Sequence, residues 1–282
     1  MFSFNSVNLL LIPQIYYQIK RHYTKEFVLR ASFWGVMHAL VSTFLLQYFS
    51  GAVGESPIWI PAGIGLGVLI IFGCRYWPFI FIGATIGEIG GGHDLLMALK
   101  LAGGAVIGML IAASLLKRFL RFNPNLESVG EYFRLLFASF IAALISAAID
   151  THFLVWGNLL PPEKLFFVFT KWLTGDFFGM AFITPVLLVL HGSWRTTWTR
   201  QKFLYLMASI LATFLLGQAV FFGWFKEYVD LTSRGNLYVF ALVFIGLYFG
   251  RQGAMLAFAV LLIQAVLGSF SGSGFPSLPA WL

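Results

Sequence analysis

From Ala31 to Gly54 the chain carries no Asp, Glu, Lys or Arg, and runs of this kind recur along most of its length. A charge-free apolar run of about 20 residues is what one helix needs to cross the hydrocarbon of a bilayer. In lipid every backbone N–H and C=O must be satisfied internally, so long runs of this sort fold as helices. Composition agrees: 59% of the residues are hydrophobic and 10% charged, where soluble domains carry about a quarter charged residues. The expected fold is all-α, a polytopic transmembrane helix bundle. The net charge of +7 then reads as topology, because basic residues collect on cytoplasmic loops. Nucleic acid is excluded as a partner: no basic patch interleaved with aromatics remains outside the runs. Cys74, the single cysteine, excludes an internal disulfide.

Charge positions place nine spans: one between Arg30 and Glu55, then 57–73, 77–89, 97–116, 133–156, about 172–190, 203–224, 236–249 and 253–270. A tenth is expected beyond Leu282, since residues 276–282 are uncharged and finish on Trp281-Leu282 like the start of another crossing. With the N-terminus in the cytoplasm, the inner loops 20–30, Arg75, 117–134, 195–202 and Arg251 hold 13 of the 18 Lys and Arg. The opposite side holds 8 of the 11 Asp and Glu. Residues 1–27 read as a cytoplasmic or interfacial segment, with Tyr16, Tyr17, Lys20 and Arg21 suited to headgroups. Residues 28–282 read as one integral membrane domain.

Two stretches organise this domain. Trp59-Ile60-Pro61-Ala62-Gly63 opens an apolar helix, Gly73-Cys74-Arg75 turns the chain, and Trp77-Pro78 opens the next helix. Trp172-Leu173-Thr174-Gly175-Asp176-Phe177-Phe178-Gly179, followed by Pro185, is its counterpart in the second half. Gly63 and Gly67, like Gly175 and Gly179, lie one helical turn apart, a spacing that lets another backbone approach closely. Residues 58–90 and 236–270 share a pattern of short helix, Gly/Arg turn and short helix, as transporter repeats do.

Asp176 is the leading candidate for chemistry, because an acid inside a span is costly unless it is paired, wetted or put to use. Asp150 and His152 near the end of the fifth span, and Glu88 beside Gly90-Gly91-Gly92 and His93, lie toward the same side. Trp59, Pro61 and Trp172 are expected to wall an apolar pocket holding these polar groups, the general make-up of a ligand site. Gly63, Gly67, Gly175, Gly179, Pro78 and Pro185 are packing or turn positions, and Arg75, Trp77 and Arg251 inner-face anchors. His38 is the one imidazole deep in a span. Ligation of a metal or haem by His38 with His152 or His93 lacks any recognised spacing, so no cofactor is expected.

Trp59-x-Pro-x-Gly63 with its Gly-x-Arg turn and Trp77-Pro78 resembles the first signature of the type-1 membrane-associated sensor (MASE) family. Trp172-x-x-Gly-Asp176-x-x-Gly179 with Pro185 is similar to the second, and Phe249-Gly-Arg-Gln-Gly-Ala254 to a late turn of the family. The likeness covers about residues 30–282. It implies a sensory input domain in the bacterial inner membrane, fused to a histidine kinase of a two-component system, a diguanylate cyclase or a cyclic-di-GMP phosphodiesterase. No Gly-Gly-Asp-Glu-Phe, histidine box or nucleotide-binding glycine loop occurs here, so the output domain is absent and the chain is expected to be truncated. The expected partners are membrane lipids, a small molecule or membrane protein as stimulus, and a second copy through the output region. A permease is the alternative, and an intramembrane aspartyl protease, suggested only by Thr174-Gly175-Asp176, a distant third.

Overall fold

The charge-free runs fold as helices. A computed structural model describes residues 24–49, 58–192, 199–222 and 231–270. Eight helices follow in order: α1 (Lys25–Phe49), α2 (Ile60–Phe72), α3 (Trp77–Gly90), α4 (Leu95–Ser114), α5 (Val129–Trp156), α6 (Leu165–Gly192), α7 (Arg200–Phe221) and α8 (Leu231–Phe270). No strand occurs among the described residues. The N-terminal segment up to residue 23 and the Gly/Ser and Pro/Trp stretch after 270 lie outside the described residues.

Nine crossings with a tenth to follow are not supported. Among the described residues six helices are long and apolar enough, by length and composition, to cross a membrane: α1, α4, α5, α6, α7 and α8. Helices α2 and α3 have 13 and 14 residues. At 1.5 Å per residue each covers about 20 Å, short of roughly 30 Å of hydrocarbon. An apolar run shows that a segment avoids water, not how much of the bilayer it spans.

The arms expected over 236–249 and 253–270 belong to the single element α8, which leaves helical geometry at Gly250 (φ 71°, ψ −163°). There the chain folds back. The Tyr238 and Phe221 rings are 6.0 Å apart, and Gly268 also abuts the Phe221 carbonyl, whereas a straight helix would hold residues 238 and 268 about 45 Å apart. Gly73 (φ 95°, ψ 158°) makes the corresponding bend between α2 and α3. Each glycine follows a phenylalanine, Phe72 or Phe249, and each turn carries an arginine, Arg75 or Arg251. Positive φ is what glycine alone adopts without a steric cost. The repeated sequence pattern is thus one turn device used twice.

Basic residues gather at one end of the bundle. The Arg75 guanidinium lies 4.8 Å from the centre of the Phe27 ring and that of Arg30 5.7 Å from Phe72. Arg251 donates to the Asn125 carbonyl, and Phe72 meets His191 at 5.2 Å. At the other end Asp94 caps α4, accepting from Leu96 N at 2.9 Å and Met97 N at 3.0 Å. Between the ends, Leu66, Val68, Leu69, Ile80, Leu116, Leu135 and Met180 form the main core. Within it α1 packs on α3, α2 on α6, and α5 on both α4 and α6. Helix α7 packs on α8, and α8 reaches the core chiefly through α6, with Phe258 5.6 Å from Phe182.

Candidate functional site

The two tryptophan-led helices lie against each other. No side chain caps α2 at Trp59; instead the Trp59 N–H donates to the Gly175 carbonyl at 2.9 Å. Any methyl on Gly63 would overlap the Gly179 carbonyl, and one on Gly179 would overlap the Trp59 carbonyl. The Thr184 hydroxyl donates to the Gly63 carbonyl at 3.0 Å, buried in the same seam. The glycine spacing of both motifs therefore serves a backbone-to-backbone contact, the mode of association that works where lipid offers no hydrophobic drive. Pro61 and Pro185 are buried along the seam helices, and Gly67 meets Leu187.

Beside this seam lies a cavity of about 20 Å³. All six helices α1 to α6 contribute to it: His38 and Ser42, Trp59, Glu88, Met109, Ser146 and Asp176 are among the lining side chains. Two of the polar contributors come in i, i+4 pairs, neighbours on one helical face. The Ser42 hydroxyl is 3.3 Å from His38 Nδ1. The Ser146 hydroxyl donates to Asp150 Oδ2 at 3.1 Å, and the Asp176 side chain lines the same cavity. Asp150 is 4% exposed and His38 3%. Neither Asp150 Oδ1 nor His38 Nε2 has a hydrogen-bond partner among the described residues. Gly104 makes room for Asp150, since a methyl there would overlap Oδ1. Asp176 and Glu88 are both within electrostatic reach of Asp150.

Glu88 joins this centre to the acidic end of the bundle. Its Oε2 is 3.1 Å from His93 Nδ1, and its carbonyl accepts the His93 N–H at 3.1 Å. That pairing, chiefly the side-chain hydrogen bond, holds the His93 imidazole above its usual 6.5.

A match to the family model MASE1 extends over residues 28–277. The chain belongs to the MASE1 family. None of the curated proteins and none of the solved structures compared with it matches. MASE1 domains are membrane-associated sensor domains, and the six long apolar helices suit a membrane protein.

Within this MASE1 domain the structure brings together Trp59, Glu88, Asp150 and Asp176, four of the residues singled out from sequence. His152, two residues after Asp150, is exposed on the outside of α5. It shares no site with Asp150, because the i and i+2 positions of a helix face different ways. Trp172 packs one turn away from the cavity against Met97, Leu101 and Leu154. His38 and His152 sit on opposite sides of the protein wall, and no group of three metal-ligating His, Cys, Asp or Glu is assembled among the described residues. Trp77 is 44% exposed, and Arg75 and Arg251 are exposed at the basic end; Pro78 opens α3. Sequence reasoning missed Ser42 and Ser146. The signal for the serines was present as a hydroxyl four residues from an ionisable group inside an apolar helix.

Proposed function

We propose that this MASE1 domain is the sensory input of a bacterial inner-membrane signalling protein, its basic end facing the cytoplasm. Occupation of the polar cavity biases the packing of α2 on α6, and the change passes through α6 and α8 to a cytoplasmic kinase or cyclic-di-GMP enzyme. What carries this reading is the convergence of α1 to α6 on one buried acidic cavity next to a seam where backbones touch. A seam with no side chains between the backbones packs in discrete ways, which is what a two-state input needs. A stimulus shifts such an equilibrium only through its different affinity for the two packings.

The test uses the protein expressed in full in cells. Asp176→Asn is expected to change output or its response to stimulus at normal expression, while His152→Ala, on the outer wall, leaves both as they are. An unchanged response in Asp176→Asn removes the cavity from signalling. Purified protein in proteoliposomes is expected to bind without net flux; sustained uptake would turn the reading to a permease.

A further inference from the structure

The cavity holds too much unneutralised acid for its surroundings. Glu88 and Asp176 line it, and Asp150 stands behind Ser146 within reach of both. No Lys or Arg is among the lining residues. From α1 the cavity is faced by His38, from α3 by Glu88 with His93 beyond it, from α5 by Ser146 with Asp150 behind it and from α6 by Asp176. Helices α2 and α4 present only Trp59, Ala62, Ala102, Ala105 and Met109. The nearby lysines are turned elsewhere: Lys100 Nζ lies over the Phe153 and Trp156 rings at 5.6 and 5.2 Å, and Lys171 Nζ over Phe167 at 5.1 Å.

Hydrogen bonding points the same way. Ser146 owns a single hydroxyl proton, donates it to Asp150 and lines the same space as a second carboxyl group, that of Asp176. It can donate to one of them only. Asp150 Oδ1 is left without a partner in the protein, and so, independently, is Nε2 of His38 from another helix lining the same space. Buried polar atoms are as a rule satisfied, by protein, water or ion. Size restricts the occupant: 20 Å³ takes one water-sized body, whereas organic ligands occupy about 300 Å³ or more. No group of three or more His, Cys, Asp or Glu able to hold a metal ion is assembled among the described residues, so an ion in this space would have at most two carboxyl groups.

We propose that this cavity is a monovalent-cation site, in which a proton or one alkali ion offsets one negative charge of the Asp150–Asp176 pair, Glu88 being paired with His93. Carboxylate and hydroxyl oxygens are the hard donors such a cation takes, and the free His38 nitrogen lies on the same space. The Glu88–His93 pair marks its mouth at the acidic end. This inference rests on the sensor reading for its purpose, because a cation bound more tightly in one packing than the other is a stimulus in its own right.

The experiment uses the chain in lipid nanodiscs, following thermal unfolding and tryptophan fluorescence, with a Trp59→Phe variant to identify the signal from the cavity. One arm varies pH in choline chloride; the other varies NaCl or KCl at constant pH and ionic strength. The folding equilibrium is expected to shift up to tenfold for each tenfold rise in the occupying cation above its Kd. Asp150→Asn/Asp176→Asn, neutral and nearly isosteric, is expected to abolish that dependence. A response to pH alone assigns the proton, and one to Na+ or K+ assigns the alkali ion. Insensitivity of the wild type in both arms, or a dependence that the double variant leaves undiminished, overturns the site. Should the double variant not fold, Ser146→Ala serves instead: it must move the cation midpoint at least threefold, and an unmoved midpoint overturns the site equally. Cation dependence with unaltered output in Asp176→Asn keeps the site and removes its signalling role; altered output without cation dependence keeps the sensor and removes the cation.

Discussion

Helices α1 to α6 and the α7–α8 pair are built from the same apolar alphabet but packed in different ways. In the six-helix part, backbones meet over missing side chains, Gly63 on Gly179, Gly83 on Gly35 and Gly108 on Ala142, and Gly87 takes in the small Ser42 side chain. In the α7–α8 pair the contacts are mostly large side chains, with Leu206, Ile245 and Phe249 in one cluster and Val220, Phe221 and Leu261 in another. Half of the membrane-length stretch is buried in α4 and in α6, against 22% in α7 and 17% in α8. Close backbone packing is what can enclose a polar cavity, since it brings six helices near enough to share one. Side-chain packing of the second kind needs less precision and leaves most of each helix to lipid. The two parts meet chiefly through the contact of α6 with α8.

The comparison breaks first, if it is to break, at Gly179. Gly179→Ala is expected to destabilise by about 3 kcal/mol, at the upper end of overpacking costs, because the new methyl meets the Trp59 carbonyl rather than a movable side chain. Gly103→Ala, where nothing lies within 4 Å, should instead stabilise slightly, by about 0.5 kcal/mol. Unfolding in mixed micelles measures both, and a tolerated Gly179→Ala would show that the seam yields. A smaller effect, about 2 kcal/mol, is expected for Gly104→Ala through displacement of Asp150. Combined with Asp150→Ala the two should be clearly less than additive, the signature of groups in contact; full additivity would mean that Gly104 serves another neighbour.

On the other side of the comparison, Gln264 on α8 donates to the Phe214 carbonyl of α7 at 2.8 Å. Gln264→Leu should cost only about 0.6 kcal/mol, the average for a hydrogen bond between membrane helices. A loss as large as that of Gly179→Ala would erase the distinction between the two regions. The smallest effect belongs to the Glu88–His93 pair, worth about 0.5 kcal/mol as a partly exposed ion pair. His93 is raised above 6.5 in the folded protein by Glu88. Its contribution is therefore complete below pH 6.5 and is lost as pH rises through the raised value. Glu88→Gln should flatten that part of the stability–pH curve; an unchanged curve would mean that the pair contributes nothing.

Much of this arrangement was legible in the order of residues. Charge-free runs located most helix ends to within a few residues, because lipid forbids a buried charge and an unsatisfied backbone alike. But α6 begins at Leu165, well before the expected Trp172, since Lys171 does not end it. Trp59 to Gly63 and Trp172 to Gly179 announced close contact, since glycines one turn apart have little other use in a span. The number of crossings was not legible: apolarity reports burial, and the 13 residues of α2 are as apolar as a full span while covering two thirds of one. His152 illustrates the other limit, for proximity in sequence to Asp150 meant the opposite helix face.

Sequence alone therefore determined that the chain lives in a membrane, that its helices carry glycine faces, and that acids sit where acids are costly. Only tertiary packing decided that Asp150 and Asp176, together with Glu88, converge with His38 on one small cavity while His152 and Trp172 stay out of it. The reason is that the apolar pattern tells which residues avoid water, whereas the rotation of each helix about its axis is settled by which neighbouring backbone can come closest.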